Sequence, residues 1–338
     1  MKQIERLAAF GIVLALCACD RATPPTATAD DIRPTLAKVG SFKSFRIPTD
    51  NSQPRDIALG SDGSMWFTES ELNVSQIGRV DPAGRITEFV VPTQFSQPSD
   101  IVSGPDGALW FTEPSGFPFG IGRVTTDGQF TEFGLCDTET GCSSLTPNGL
   151  ASGPDGNIWF TEGNRNALGR LTPSGVFTFF PLPSLGSQPS GITVGPDGAL
   201  WFAEFNGDRI GRFDIATATF TEFGPTVGPD AITLGPDGNL WFTAPFNNSI
   251  GRITPSGVIT EFPLDVPSQP RDIVAGADGN LWFTEYTGES LSRITTDGVI
   301  TEVQRVRGGP WGIGRGVGGE IWLTQFDGNK VSRFTASP

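Results

Sequence analysis

The sequence predicts an all-β fold, a seven-bladed β-propeller of four-stranded antiparallel blades. The first observation behind this prediction is a repeated motif, Trp-Phe-Thr-Glu or a close variant of it. Its tryptophan recurs at Trp66, Trp110, Trp159, Trp201, Trp241, Trp282 and Trp322. The second observation is the spacing of 40 to 49 residues between those tryptophans. Short strands and glycine-containing turns at that period are typical of propeller blades, which bury their apolar faces by packing side by side.

Residues 98–133 show how one repeat is expected to fold. The predicted strands are Pro98–Ser103, Leu109–Glu113, Ile121–Val124 and Phe130–Phe133. Gly-Pro-Asp-Gly and Asp-Gly turns join neighbouring strands into hairpins. The opening proline precedes the residue after Trp-Phe-Thr by 15 positions in every copy. An inner hairpin without insertions is expected where strands crowd around a central axis.

The two ends of the repeat region predict how the ring closes. The last repeat stops at Phe334 and has no fourth strand of its own. Residues 42–47 align with the fourth strand of the other repeats and precede the first complete repeat. We therefore expect the N-terminal strand to complete the last blade, which removes two open sheet edges.

The N-terminus predicts export and a lipid anchor. Residues 1–19 have a charged start, an apolar run and a Leu-Cys-Ala-Cys ending, which is similar to the signal peptide and lipidation site of bacterial lipoproteins. We expect Cys19 to be lipidated, with an ordinary cleaved signal as the alternative. Residues 20–38 predict a flexible linker, and residues 39–338 the propeller. The expected location is the cell envelope, facing the periplasm or the exterior, with the anchor as the protein's contact with the membrane.

Two further cysteines, Cys136 and Cys142, lie close together in one predicted loop. Because an exported protein meets an oxidising compartment, we expect them to form a disulfide.

The composition limits the classes of function. The formal net charge is −14, and such a surface repels the phosphate backbone of nucleic acids. The chain contains no histidine, which removes the commonest general base and the commonest transition-metal ligand. Any catalysis must therefore use other side chains or water. A closed ring needs no partner for its core, so we expect a monomer.

Strand direction predicts where a site lies. The residue after each opening proline and the residue after Trp-Phe-Thr should gather at one mouth of the central channel. The candidate ligand-binding residues at this mouth are Arg55, Asp230, Arg271 and Trp311.

Five glutamates are expected near the same mouth, at Glu69, Glu113, Glu162, Glu204 and Glu285. A ring of carboxylates could bind a hard cation such as Mg²⁺ or Ca²⁺, with Glu285 as the candidate metal ligand, or raise its own pKa values by mutual repulsion. The alternative is that these glutamates serve the hydrogen bonding of the repeat itself. The arginine of each Ile-Gly-Arg motif is expected to pair between blades with acidic residues such as the turn aspartates.

The motifs Gly-Pro-Asp-Gly, Leu-Trp-Phe-Thr-Glu, Ile-Gly-Arg and Thr-Glu-Phe together resemble the streptogramin lyases, also called virginiamycin B lyases. The resemblance covers residues 41–334. It implies a seven-bladed propeller that opens a cyclic depsipeptide by elimination at its ester bond, with a magnesium ion. It also implies two histidines and two glutamates at the site. Here Asp230 and Arg271 occupy the histidine positions, and Glu285 alone matches. Gln269 occupies the other glutamate position, and the resemblance makes it a fifth candidate ligand-binding residue. The resemblance therefore supports the fold and the place of the site, and these substitutions argue against the same reaction.

Three functions remain open from the sequence. The first is a propeller that binds a small molecule or peptide at its channel mouth. The second is a lyase or hydrolase, in which Glu285 holds a divalent cation and Arg271 stabilises developing negative charge. The third is a scaffold that binds partner proteins and no small ligand.

Overall fold

The computed structural model describes residues 40–116, 120–135 and 145–336. Within these ranges 28 β-strands form seven four-stranded sheets, which confirms the predicted propeller. The signal peptide with Cys19, the linker, and the loop with Cys136 and Cys142 lie outside the described residues, so their expected roles stay predictions. The described part of the chain contains no helix with the length and apolar character needed to span a membrane.

Each blade runs from an inner first strand to an outer fourth strand. The first strands are β2 (Pro54–Leu59), β6 (Ile101–Ser103), β10 (Pro147–Ser152), β14 (Pro189–Val194), β18 (Ile232–Leu234), β22 (Pro270–Ala275) and β26 (Pro310–Arg315). The second strands are β3 (Met65–Glu69), β7 (Leu109–Glu113), β11 (Ile158–Glu162), β15 (Leu200–Glu204), β19 (Leu240–Ala244), β23 (Leu281–Glu285) and β27 (Ile321–Gln325). The third strands are β4 (Gln76–Val80), β8 (Gly120–Val124), β12 (Ala167–Leu171), β16 (Arg209–Asp214), β20 (Ser249–Ile253), β24 (Ser290–Ile294) and β28 (Lys330–Ala336). The fourth strands are β5 (Ile86–Val90), β9 (Phe130–Gly134), β13 (Phe177–Pro181), β17 (Thr219–Phe223), β21 (Ile259–Pro263), β25 (Ile300–Arg305) and, for the last blade, β1 (Gly40–Arg46).

The N-terminal strand closes the ring as predicted. β1 pairs with β28 in antiparallel register, from Gly40 opposite Ala336 to Arg46 opposite Lys330. We call the face where the first strands begin and the second strands end the mouth face, and the opposite one the closed face. The main-chain N–H of Ile47, just after β1, donates to the Asn329 carbonyl in a loop of the mouth face, with an N···O distance of 3.1 Å. β1 therefore ends at the mouth face, and Gly40 lies at the closed face.

The repeated tryptophans form the core between blades, and each is at most 3% exposed. In the second blade the ring of Trp110 stacks on Phe133 at a centroid distance of 5.3 Å. The indole Nε1–H of Trp110 donates to Asp106 in the Gly-Pro-Asp-Gly turn at 3.0 Å. Arg123 donates to the other carboxylate oxygen of Asp106 at 2.6 Å. In four blades the turn aspartate therefore connects an aromatic core residue with an arginine near the surface.

The prediction that the Ile-Gly-Arg arginines pair with turn aspartates is confirmed in four blades. The prediction that these pairs join two different blades is wrong. Four blades show the pairs Arg79–Asp62, Arg123–Asp106, Arg212–Asp197 and Arg293–Asp278. Each pair joins two residues of the same blade, whereas pairing between blades was expected. The reason is the register: Trp110 lies directly opposite Arg123, so both side chains reach the turn of their own blade.

A β-bulge at the start of the first strand positions the residues nearest the axis. Pro54 lies opposite Glu69 and Ile57 opposite Phe67, so Arg55 and Asp56 share the space opposite one residue. The same register shift occurs in five blades. A bulge bends its strand and redirects side chains, which here places the bulged residues toward the channel.

Candidate functional site

The channel contains a cavity of about 680 Å³, and its lining comes mainly from the three residues after each opening proline. The residues that directly follow the seven prolines form the outer layer. They are Arg55, Ser99, Asn148, Ser190, Asp230, Arg271 and Trp311, and all of them line the cavity. The structure thus brings together four of the predicted ligand-binding residues. Gln269 is exposed and does not line the cavity.

The second layer contains three aspartates that the sequence analysis missed. A carboxylate oxygen of Asp56 accepts from the main-chain N–H of Ile101 in the next blade at 2.9 Å. Asp100 and Asp272 bond in the same way to the next first strand, at 2.6 and 2.8 Å. These aspartates fasten consecutive blades to each other. The sequence carried a signal for this layer. In six of the seven repeats, an aspartate or glycine followed by isoleucine or leucine begins two residues after the opening proline.

Glycines replace these aspartates where neighbouring first strands approach more closely. A Cβ atom on Gly149 would lie 2.5 Å from the Ser190 carbonyl oxygen, and one on Gly191 would lie 2.6 Å from the Asp230 carbonyl oxygen. The main-chain N–H of Gly191 donates directly to that Asp230 oxygen at 3.0 Å. Close backbone contact in these blades thus replaces the carboxylate contact of the others.

The third layer is apolar and forms the bottom of the cavity. It consists of Ile57, Ile101, Leu150, Ile192, Ile232, Ile273 and Ile313. Each is at most 7% exposed. All of them except Ile273 line the cavity, and no residue further along the described first strands does so. The cavity therefore opens at the mouth face and ends at this apolar floor.

The threonine of Trp-Phe-Thr fixes the backbone of the outer layer. The hydroxyl of Thr284 accepts from the main-chain N–H of Asp272 in its own blade at 3.2 Å and donates to the Trp311 carbonyl in the next blade. Thr243 makes the equivalent bond to the Arg271 carbonyl at 3.0 Å. We call this contact the threonine bridge. It recurs in the blades of Thr68, Thr161 and Thr324.

Two arginines and an aromatic cluster occupy one side of the outer layer. The guanidinium carbon of Arg271 lies 4.4 Å from the ring centroid of Trp311, and that of Arg55 lies 5.6 Å from the same ring. Trp311 contacts Tyr286 edge-on at 5.3 Å and Phe326 at 5.1 Å. Cations over an indole are held by its electron-rich face, so Trp311 positions both arginines.

Burial changes the ionisation of the acids in the channel. It raises the pKa of Asp100 well above its usual value, and the nearby charge of Asp56 raises it further. The pKa of Asp272 is raised well above its usual value by the same two causes. Burial also raises the pKa of Asp230, while the positive charge of Arg271 acts in the opposite direction. The channel therefore carries less negative charge than its number of aspartates suggests.

The structure differs from the expectation for the five repeated glutamates, since none of them lines the cavity. Glu285 is 6% exposed and accepts hydrogen bonds from the hydroxyls of Ser290, at 3.0 Å, and Ser292. Glu162 accepts from the main-chain N–H groups of Thr146 and Arg165. The reason is strand alternation: Glu285 shares a sheet face with Phe283, which is fully buried in the core. For these two residues the structure shows hydrogen bonding within the repeat.

Two of these glutamates, Glu69 and Glu113, have pKa values raised well above the ordinary value. Burial, and then the charge of Glu88, raise the pKa of Glu69 to about 8. Burial and Glu132 raise the pKa of Glu113 to about 8. The expectation that repulsion between carboxylates raises some pKa values therefore holds, but each pair lies within one blade and away from the channel.

The residues at the predicted metal position do not fit a magnesium ion. One carboxylate oxygen of Glu285, Oε1, accepts hydrogen bonds from two serine hydroxyls. Gln269 offers a neutral amide where a carboxylate is expected. Among the described residues no group of three or more Asp, Glu, Cys or His side chains is arranged to hold a metal. A hard cation prefers several carboxylate oxygens, and this position does not provide them.

Comparison with known proteins agrees with this architecture. The sequence profile of the Virginiamycin B lyase family matches residues 18–149 and 142–338. A streptogramin B lyase structure is 35% identical and superimposes with a TM-score of 0.79, covering 88% of this chain and 98% of that chain. A catalytically inactive variant of virginiamycin B lyase from Staphylococcus aureus, with quinupristin, gives the same identity and TM-score and is covered over 99% of its length.

More distant similarity concerns the fold alone. Kuenenia stuttgartiensis hydrazine synthase is 16% identical with a TM-score of 0.70, covering 86% of this chain and 97% of that chain. No protein of curated function matches the sequence. The extent of the family match and the identity to the lyase structures show that the chain belongs to the virginiamycin B lyase family.

Proposed function

We propose that this family member is an envelope-anchored binding protein that takes a small molecule or peptide into the cavity at its mouth face. The observation that carries the proposal is the outer layer, where seven equivalent positions present different side chains to one cavity. Such differences between equivalent positions let a repeated scaffold bind an asymmetric ligand. A cavity of about 680 Å³ with an apolar floor and a polar rim has the size and chemistry of a small-molecule site.

The proposal also rests on what the chain lacks for the chemistry implied by its family. The sequence has no histidine, and Asp230 and Arg271 stand at the expected histidine positions. An aspartate and an arginine at those positions can bind and orient a ligand through charge and hydrogen bonds.

Ligand screening tests the proposal. A library of small metabolites and short peptides is measured by thermal shift against the wild-type chain and a Trp311→Ala variant. We expect the ligands that stabilise the wild-type protein to lose their effect in Trp311→Ala. The control is Leu185→Ala, because Leu185 is 95% exposed and does not line the cavity. Ligands that stabilise Trp311→Ala as well as wild type would contradict the proposal.

An enzyme of the family's type is the second candidate, and membership of the lyase family is the observation that favours it. Quinupristin incubated with the purified protein distinguishes the two, with separation by chromatography and mass measurement. Elimination at the ester gives an open product of unchanged mass and altered retention, whereas hydrolysis adds one water. We expect intact quinupristin, and either product would replace the binding proposal with a catalytic one.

A further inference from the structure

Arg55 and Arg271 lie in the cavity without a carboxylate partner. In the described part of the chain, no ion pair within 4.0 Å joins either guanidinium to an acidic side chain. The Nε atoms of both are buried and have no hydrogen-bond partner among the described residues. Arg55 donates to the hydroxyl of Ser99 at 3.3 Å, which is a neutral group. By contrast, Arg123 on the outer surface has its turn aspartate at 2.6 Å.

The aspartates of the channel do not neutralise this pair. Three of them, Asp56, Asp100 and Asp272, use a carboxylate oxygen to accept from the main chain of the next blade. Asp230 is the acid in the outer layer, and the charge of Arg271 acts on it. One acidic group therefore stands beside two guanidiniums in the outer layer.

Two half-buried cations lie near the same Trp311 ring and repel each other, which raises the free energy of this part of the cavity. Burial and the charge of Arg271 both lower the pKa of Arg55, which shows that the two groups repel each other. A guanidinium presents N–H donors in a planar arrangement suited to carboxylate and phosphate oxygens. An anion between or beside them would satisfy the free donors and cancel the repulsion.

The rest of the cavity indicates that the anion is part of a larger organic molecule. The opposite rim offers the neutral side chains of Asn148 and Ser190, and the floor is apolar. An inorganic ion would leave most of the 680 Å³ unfilled. We propose that the cavity binds an organic oxyanion, with its carboxylate or phosphate group at Arg55 and Arg271 beside Trp311. This inference rests on the proposed binding function and names the chemical class of the ligand.

Matched charged and neutral probes test the inference by calorimetry. The carboxylate pair is N-acetyl-phenylalanine and N-acetyl-phenylalanine amide, and the phosphate pair is phenyl phosphate and benzyl alcohol. We expect at least one anion to bind about tenfold or more tightly than its neutral partner, and its affinity to fall as salt is added. The anion that binds more tightly shows whether the site prefers a carboxylate or a phosphate group.

Charge-removing variants then assign the effect to the two arginines. Arg55→Gln and Arg271→Gln should each weaken the anion about tenfold or more and leave the neutral probe nearly unchanged. The matched control is Arg85→Gln, because the Arg85 side chain is 85% exposed and does not line the cavity. Arg55→Lys and Arg271→Lys keep the charge, so they should retain part of the affinity even if a glutamine variant misfolds.

The outcomes separate the inference from the proposed function. Equal affinity for charged and neutral probes, or an anion preference that survives in both glutamine variants, overturns the inference and leaves the binding proposal standing. Failure of both anions to bind at millimolar concentration also overturns it. The binding proposal itself fails if ligands found by screening do not depend on Trp311, or if the protein converts quinupristin.

Discussion

Glu69 and Glu113 show how single buried carboxyls set the pH response of the protein. Each is at most 1% exposed, and each faces a second glutamate of its own blade. Their pKa values of about 8 lie above the ordinary value of 4.5. The folded protein therefore holds protons that the unfolded chain has released. The resulting stability is fully present below pH 4.5 and is lost as the pH rises through about 8.

Glu69→Gln should make the melting temperature less dependent on pH. A neutral amide keeps the size of the side chain and removes the cost of ionisation, which is at most roughly 5 kcal/mol for a shift of this size. We expect the variant to melt above wild type at pH 9 and close to it at pH 5, measured by circular dichroism. The double variant with Glu113→Gln should increase the difference.

Glu162→Gln is the matched control for this prediction. Glu162 accepts from two main-chain N–H groups, and an amide can offer them only one oxygen. This variant should therefore melt below wild type at both pH values. A Glu69→Gln protein that follows the pH profile of wild type would contradict the proposed protonation of Glu69.

At the scale of one element, the threonine bridge connects the second strand of five blades to the outer layer of the next blade. Thr284 lies between the Asp272 N–H and the Trp311 carbonyl. The fourth blade shows the alternative, because Ala203 stands at the threonine position and Gly191 bonds directly to Asp230. In the fourth blade this direct main-chain bond thus stands in place of the bridge.

Thr284→Val should destabilise the protein by about 1–3 kcal/mol, because valine keeps the shape and leaves a buried donor and acceptor unsatisfied. Urea denaturation measures the effect. Thr287→Val, the same change on an exposed loop residue three positions later, should stay within about 0.5 kcal/mol of wild type. Equal losses in the two variants would show that the bridge adds no stability.

The element scale also shows what the sequence could and could not predict. The period of the tryptophans and the constant inner hairpin were sufficient for strand order, ring closure and the outer layer of the cavity. The direction of Glu285 was not predictable in the same way, because a strand residue next to the channel has its side chain on one of two faces. Asp56 was missed because the recurring Asp-Ile pair does not by itself show that the carboxylate, placed by a bulge, bonds to the neighbouring blade.

At the scale of the whole molecule, the pairing of β1 with β28 joins the two ends of the chain. The strand contributes Phe45, which is 8% exposed and stacks on Trp322 at 5.7 Å. Without β1, the outer edge of β28 and the face of Trp322 would be open to solvent. Exposed edges of this kind promote aggregation.

A chain that begins at Pro48 should therefore melt lower and aggregate, measured by light scattering during a thermal ramp. A circular permutant provides the control. Because Gly40 lies opposite Ala336, a two-residue turn can join them, with new ends placed at the exposed Leu185. The permutant should behave as the full chain does. If the truncated chain melts like the full one, the last blade does not need its N-terminal strand.

The position of Gly40 has a consequence for orientation at a bilayer. Gly40 lies at the closed face, so any tether through the residues before it leaves from the back of the ring. If Cys19 carries lipid as proposed, the tether joins the ring on the face opposite the binding opening. A ligand could then enter the cavity without passing the point where the tether is attached.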